Sequence, residues 1–515
     1  MNNKVLIVDF GSQYTQLISR RIRSLSFYCE IVPCYKKDLY EFSKDFGAII
    51  LSGGPNSVHE EGSPTIDERI FDSEIPILGV CYGMQLMSHN LGGHVELGEI
   101  REFGESGIKI LKSSPLTEGW CDEGERIKTW MSHGDCAKRV PENFEIFAVS
   151  ENENIAIIGN KEKKIYGIQF HAEVDHTTNG DQLLLNFLTK IAHLKPDWTM
   201  KNLIETKISD VKNMVGENEI VIAAVSGGVD STVASVLLSK AIGNRLKCIF
   251  VDTGMLRENE GDQVEQMFAK HNINIDRVNS EEIFLNELKS VTDPEQKRKI
   301  IGRLFIEIFE KEAKKYTNAK FLMQGTLYTD IIESVSPNGS PSVTIKSHHN
   351  VGGLPEKMNF KLIEPLKDLF KDEVRKLGEE LGVSSDFLSR HPFPGPGLAI
   401  RIDGEITKEK VILAQKIDVI FMNSIREFGI YDQIWQAFAF LSDMRAVGVM
   451  GDGRTYDRVC ILRSITSMDG MTAKVFPMSH DHLTVIANRI VNQVRGINRV
   501  CYDYTSKPPA TIEFQ

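Results

Sequence analysis

The chain has 515 residues, 41% of them hydrophobic and 25% charged, with a formal net charge of −11. That length predicts roughly three or four domains at about 150 residues each, and that balance excludes a disordered chain. The acidity excludes indiscriminate nucleic-acid binding, and the lack of any apolar run of about 18 residues predicts no membrane span.

The chain opens directly into a strand, without the charged and apolar regions of a secretory leader, so a cytoplasmic protein is expected. Residues 5–10, 48–51 and 77–80 are short apolar runs ended by glycine or turn residues, the pattern of parallel strands. Residues 108–111, 145–149, 156–158 and 165–170 predict further strands, and 182–194 an amphipathic helix that closes the unit. The break at Lys195, Pro196 and Asp197 ends a first domain, 1–195. A second domain, 196–390, begins with a helix over 200–215 and a strand over 220–225. Strands over 248–251 and 321–324 follow. Their C-terminal ends are expected to line one crevice with the end of 220–225, as in an open parallel sheet. Residues 334–355, rich in Ser, Pro, Gly, His and Asn, read as a mobile loop or lid. The prolines and glycines of 391–397 cannot continue a helix. They open a third domain, 391–515, with a helix over 408–428, strands near 446–450 and 459–464, a helix over 482–494 and a last strand. The fold class expected is α/β: two doubly wound parallel-sheet domains followed by a smaller α+β domain.

Two places carry chemistry. The first is where the strand 220–225 runs through Ser226, Gly227, Gly228, Val229, Asp230, Ser231 and Thr232 into a helix. Such a junction leaves backbone N–H groups unpaired at a helix N-terminus, where they and the helix dipole favour an anion. The glycines allow close approach and positive φ, and the Ser226, Ser231 and Thr232 hydroxyls add donors. The Gly-x-x-x-x-Gly-Lys-Ser/Thr loop of the usual γ-phosphate-handling enzymes is absent.

The second is Cys81, at a sharp strand-to-helix turn among small residues. The helix N-terminus there favours thiolate over thiol. The backbone N–H of Tyr82 lies where an oxyanion donor is needed, and the turn through Gly53 and Gly54 offers another. Gln85, one turn into the helix, is grouped with them as a glutamine contact. His171 and Glu173 follow the 165–170 strand, as a base and the carboxylate that holds its tautomer. Singly, a buried cysteine is usually a small hydrophobe and a lone histidine a satisfied core residue. Together, at successive strand ends, they point to a nucleophilic triad.

The 226–232 loop resembles the Ser-Gly-Gly-x-Asp-Ser loop of the N-type ATP pyrophosphatases, which cleave ATP between the α- and β-phosphates and adenylate a substrate oxygen. Cys81, the Gly53-Gly54 turn and the His171/Glu173 pair resemble the class I (triad) glutamine amidotransferases, which form a thioester at cysteine and release ammonia. Ala172 stands where members commonly carry proline. A glutaminase joined to an adenylating domain reads as a glutamine-dependent amination. Gln324-Gly-Thr326, Asp330-Ile-Ile-Glu333, Lys346-Ser-His-His-Asn-Val-Gly-Gly353, the 391–401 segment, Gly448-Val-Met-Gly-Asp-Gly-Arg-Thr-Tyr456 and Lys507-Pro-Pro-Ala-Thr-Ile-Glu513 resemble the glutamine-hydrolysing GMP synthases, from about residue 4 to the end.

The resemblance implies small-molecule substrates, XMP, ATP and glutamine, with Mg2+ entering with ATP. The C2 oxygen of XMP is adenylated, and ammonia displaces AMP to give GMP. It implies residues 226–232 on the departing pyrophosphate, Val251 against adenine and Asp230 on magnesium. It places Asp330, Glu333 and Lys346 as lid residues near the reacting centre, and Arg303, Lys507, Ile512 and Glu513 on XMP. Arg303 and Lys507 suit a phosphate, and Glu513 suits purine N–H donors. Phe514 and Gln515 replace the usual tryptophan and glutamate of the tail. The family pairs two chains through its C-terminal domain, so a homodimer is expected. Closure of the lid is expected to shield the adenylate from water and to raise glutamine turnover once XMP and ATP are bound.

The remaining conspicuous residues read as structural. The eight cysteines form no Cys-x-x-Cys pair, and His348, His349, His480 and His482 lack partners at ligand spacing. Neither zinc nor a tightly bound organic cofactor is expected. The Lys/Arg run 296–303 reads as a solvated helix face apart from Arg303, and Met444, Met450, Met468, Met471 and Met478 as core filler. A tRNA-modifying pyrophosphatase would want a basic face and paired cysteines. A non-catalytic glutamine or nucleotide sensor would be expected to have lost Cys81, Asp230 or Lys346, and all three are present.

Overall fold

The computed structural model describes residues 2–334, 360–450, 453–467, 470 and 472–515. Lys346 and the rest of the expected lid beyond Ser334, with His348, His349, Met468 and Met471, lie outside them, as do the side chains of Glu333 and Met450. The chain divides into two compact units, Met1–Asn202 and Leu203–Gln515.

Among the described residues of the first unit, nine strands form one sheet: β1 (Lys4–Asp9), β2 (Tyr28–Pro33), β3 (Ala48–Leu51), β4 (Ile77–Val80), β5 (His94–Ile110), β6 (Arg126–Arg139), β7 (Glu145–Ser150), β8 (Ile155–Asn160) and β9 (Ile165–Ile168). Their order is β2-β1-β3-β4-β9-β8-β7-β5-β6. From β2 to β9 the sheet is parallel. β3 and β4 are buried at every residue, which is why their sequences run apolar without alternation. Val5 and Ile7 feed one core and Leu6 and Val8 another, so alternate residues of β1 serve the two faces of the sheet.

Beyond β9 every neighbour is antiparallel. The sheet is therefore mixed, where the sequence predicts a parallel one. The strand expected at 108–111 is the end of the long β5, and its partner β6 gives little sequence signal. β6 alternates with period two, but its inward positions include Thr129 and His133 beside Met131, so the alternation is not apolar against polar.

In the second unit, β10 (Ile220–Ala224), β11 (Leu246–Asp252), β12 (Ile275–Asn279), β13 (Ala319–Met323) and β14 (Lys361–Ile363) form a parallel sheet in the order β12-β11-β10-β13-β14. Adjacent parallel strands end side by side, so the C-terminal ends of β11, β10 and β13 share one edge, as expected. A second sheet holds β15 (Gln436–Met450), β16 (Gly453–Thr466), β17 (Lys474–Val475) and β18 (Ile497–Tyr502); β15 and β16 are antiparallel, and β18 runs parallel to β16.

The two sheets feed one core. Ile222, Ile249 and Leu322 of the first belong with Leu398, Ile417, Leu462 and Ile486 around the second. Met478 is buried in it as predicted. Met444 is a correction: it is 61% exposed. It falls where the β15–β16 register shifts between Leu441 and Arg445, and the irregular stretch turns it outward.

Candidate functional site

Cys81 caps the helix Tyr82–Asn90 with φ 51° and ψ −108°, a conformation that packing must enforce. Its own N–H donates to Ile168 O at 2.8 Å, and Gly83 N donates to Ser52 O at 3.0 Å, tying the turn to β9 and to the end of β3. Glycine is required on both sides. A Cβ on Gly79 would lie 2.7 Å from Met84 N, and one on Gly83 would lie 2.3 Å from Leu51 O. Gly83→Ala is therefore expected to push the elbow off β3 and destabilise the unit by about 1–3 kcal/mol. The glutamine hydrolysis expected of Cys81 from the sequence should then fall by at least about tenfold, because displacement of a reacting atom is severely penalised. Thermal melting and glutamate release check the two effects. A variant that melts and hydrolyses like the parent would show that the close approach does not matter.

His171 and Glu173 stand just past β9. His171 Nδ1 donates to Glu173 Oε1 at 2.7 Å, with both side chains almost wholly buried. The backbone of His171 is fixed from two sides, its N–H donating to Trp130 O at 2.9 Å and its carbonyl accepting from Thr177 Oγ1. Burial alone would lower the imidazole pKa. The Glu173 carboxylate and the Cys81 sulfur beside the ring outweigh it and hold the pKa well above the ordinary histidine value. A Cβ on Gly53 would lie 3.3 Å from His171 Cε1, so the Gly53-Gly54 turn also packs on the ring.

A cavity of about 630 Å³ opens over these groups, lined among others by Gly54, Cys81, Gln85, His133, Asp135 and His171. Tyr82 is the first residue of its helix, so helix geometry leaves its N–H without an intrahelical acceptor. The Gln85 amide donates to Asp135 O at 2.8 Å and to Gln169 Oε1 at 3.3 Å. The Gln169 amide in turn donates to Cys81 Sγ at 3.7 Å.

His133 of the cavity lining belongs to a second histidine–glutamate pair that the sequence reading missed. His133 Nε2 lies 3.0 Å from Glu102 Oε2, in ion-pair range but without hydrogen-bond alignment, and both side chains are buried. Burial raises the Glu102 pKa, but His133, Ser150 and Asn152 beside it outweigh burial and bring it down to about 2. Glu102 and His133 are cross-strand neighbours on β5 and β6. Only the pairing of those strands would have revealed them.

In the second unit Gly228 caps the helix Val229–Ile242. Gly227 has φ +75°, and a Cβ there would lie 2.7 Å from Val264 Cγ2. Ser226 Oγ accepts from Gly228 N at 3.3 Å and lies 3.4 Å from Ser231 Oγ. Thr232 corrects the expectation of a third hydroxyl at the loop: it is fully buried, and its Oγ1 is cut off from solvent. Both carboxylate oxygens of Asp230 lie 2.5 Å from Lys371 Nζ, a partner 141 residues away that no local spacing announces. Gly325, just past β13, would put a Cβ 3.4 Å from Ser231 N, so the end of β13 borders the loop. Val251 is buried near the end of β11. Asp330 Oδ2 accepts from Leu327 N at 2.8 Å, at the start of the helix Tyr328–Ser334 that also carries Glu333.

The tail sits in a frame of buried arginines. Glu513 Oε1 accepts from Arg401 Nη2 and from Gln436 Nε2, each at 2.8 Å, and Arg401 is fully buried. Arg463 donates to Ile512 O at 2.9 Å and to Thr511 O at 3.0 Å. Lys507 Nζ donates to Gly470 O at 2.8 Å. Arg303 is half exposed and pairs with Glu287 at 2.8 Å and Glu307 at 3.0 Å. In the run around it Gln296 and Lys299 are exposed as expected of a solvated face, and Lys297 is the correction. Lys297 is fully buried, because it shares the inward stripe of the helix Pro294–Ala313 with Ile301, Leu304 and Ile308.

Comparison with known proteins agrees on one family. Residues 6–191 match the family model for glutamine amidotransferase class-I, and residues 423–514 match that for the GMP synthase C terminal domain. A GMP synthase [glutamine-hydrolyzing] of Phenylobacterium zucineum is 56% identical, over 99% of this chain and 98% of its own. The proteins of that name from Zymomonas mobilis and a Bradyrhizobium strain are each 54% identical over 100% of this chain, and over 98% and 96% of their own.

Proposed function

The chain belongs to the glutamine-hydrolysing GMP synthases, and on that premise we propose that its first unit hydrolyses glutamine at Cys81 while its second adenylates XMP with ATP. It is a ligase that forms GMP in a glutamine-dependent reaction. The observation that carries the first assignment is the strained Cys81 turn beside the buried His171–Glu173 pair. In this reading His171 takes the thiol proton and Cys81 attacks the carboxamide carbon. The Tyr82 N–H and the Gly53-Gly54 turn hold the oxyanion, with Gln85 beside them on the glutamine. His171 then returns the proton to the departing ammonia, and water clears the thioester.

The loop from Ser226 to Ser231 receives the pyrophosphate of ATP, with Val251 on the adenine side. Magnesium that arrives with ATP needs only one or two protein carboxylates beside the phosphates. Asp230, part-exposed at the helix N-terminus, fits that need, with Lys371 turning from it to the phosphates. The ion would neutralise charge on the phosphates. Asp330, Glu333 and Lys346 keep the role of lid residues. Arg303, Lys507, Ile512 and Glu513 keep that of XMP contacts, and the division at 391 separates the adenylating domain from the tail domain. Pairing of two chains through that last domain is supported by Val447, Val449 and Tyr456. They are exposed on the β15–β16 hairpin, and Val447 faces Tyr456 across the register. Among the described residues no helix is long and apolar enough to cross a membrane; a cytoplasmic setting belongs to the same reading.

The test of the whole is product balance: glutamate, AMP, pyrophosphate and GMP should appear together from glutamine, ATP and XMP. AMP release independent of XMP would overturn the assignment. The tail has its own test. Glu513→Gln removes one charge from a largely buried pair, and the KM for XMP should rise by at least about tenfold. Basal glutamine hydrolysis should be unchanged. An unaltered KM for XMP would return the tail to a purely structural role.

A further inference from the structure

Lys297 faces inward among Ile301, Leu304 and Ile308 and has no exposure to solvent. An ammonium withdrawn from water is costly unless its donors are used. Here Nζ donates to Ile402 O at 2.8 Å and to Gln515 Oε1 at 3.0 Å. These two acceptors bracket the Arg401–Glu513 pair. Ile402 directly follows Arg401, and Gln515 lies two residues beyond Glu513. The next residue of the helix, Arg298, donates to Gln515 O.

We propose that Lys297 is a positioning residue for XMP, its buried ammonium fastening the tail to the segment after Arg401 so that Glu513 meets the purine in one orientation. The inference rests on the reading of Glu513 as an XMP contact. Lys297 touches no substrate in this scheme. It acts through Gln515 on one side and through Ile402 on the other, and Arg401 and Gln436 then fix the Glu513 carboxylate between them.

A lysine that only filled space would be indifferent to its charge. This one is not. Burial is the largest influence on its pKa and lowers it. Asp403, Asp443 and Asp293 partly oppose that, Lys410 adds to it, and the result is about 8. Lys410 is itself engaged with Asp443, and with Asp403 O and Glu405 O. Below that pKa the ammonium makes charge-assisted bonds to both acceptors. As pH rises through it the proton leaves, the bonds weaken and the tail loosens. XMP binding is therefore strong on the acid side of about pH 8 and weaker on the alkaline side.

The experiment is calorimetric titration of XMP into the full-length protein, repeated from about pH 6.5 to about pH 9.5 on either side of the lysine's titration. The parent should lose about fivefold to tenfold in affinity between about pH 7 and about pH 9, the scale of one charge-assisted bond. Lys297→Met should already bind weakly at neutral pH and change by less than about twofold over the same range. The titration of XMP itself is common to both proteins and cancels in their comparison. A flat parent profile overturns the proposal, even if Lys297→Met fails to fold. So does a folded Lys297→Met that binds XMP like the parent. Glu513→Gln, titrated alongside, separates the two levels. If it binds XMP unchanged, the tail reading falls and Lys297 with it. If it binds weakly while Lys297→Met does not, only the role of Lys297 falls.

Discussion

Cys81→Ala is expected to reduce GMP formation from glutamine by at least about 10⁴-fold, the usual scale for loss of a nucleophile. Synthesis from added ammonium salts should stay within about twofold of the parent, because in the proposed scheme Cys81 serves the glutaminase chemistry alone. No other thiol is placed to substitute for it, since Cys81 is the one cysteine among the described residues that line the cavity. The fold should survive. Alanine keeps the Cβ, and the bonds that fix the turn are backbone bonds from Cys81 N to Ile168 O and from Gly83 N to Ser52 O. The variant also changes its neighbour. The His171 pKa is held up by Glu173 and by the Cys81 sulfur against burial, so removing the sulfur should lower it, leaving Glu173 as the main opposing influence. NMR titration of the imidazole in parent and variant would follow that shift. A variant that melts like the parent yet loses both glutamine-driven and ammonium-driven synthesis would refute the division of labour between the two units.

What could be read from the sequence follows the range of the interactions. The Cys81 elbow is legible because a strand, a small-residue turn and a helix are contiguous, and His171 and Glu173 because they are two residues apart on the same strand end. The loop at 226–231 is legible for the same reason. Glu102 and His133 are not, since they meet only through the register of two long strands whose inward faces carry polar residues. Nor is Lys371, which reaches Asp230 across 141 residues. β12 escapes because it is an edge strand with little buried surface, and an edge needs no apolar run. Lys297 is a different failure. The spacing 297, 301, 304, 308 marks a helix face, but a charged residue at its head reads as solvated until the acceptors Ile402 O and Gln515 Oε1 are seen.

Gly227→Val should be the second large lesion, lowering GMP formation by about 10³-fold or more with either nitrogen source, because the whole electrostatic cradle proposed for the phosphates is lost at once. Two physical effects combine. Gly227 has φ +75°, a region that a β-branched residue enters only under strain. Its Cβ would also lie 2.7 Å from Val264 Cγ2, so the loop must move away from the helix that carries Val264. The N–H groups at the start of Val229–Ile242 then no longer converge on a pyrophosphate. Asp230→Ala tests the same loop without moving its backbone. It deprives Lys371 of its carboxylate partner and removes the one loop carboxylate placed to meet magnesium, so a loss of about 10²-fold or more is expected. Both variants should keep basal glutamine hydrolysis, the reverse of the pattern expected for Cys81→Ala. The measurement is XMP-dependent pyrophosphate release, with ammonium chloride or glutamine as nitrogen source. Release near the parent rate in both variants would mean that the loop does not hold the departing pyrophosphate. Loss in Gly227→Val alone would keep the backbone cradle and take the magnesium role away from Asp230.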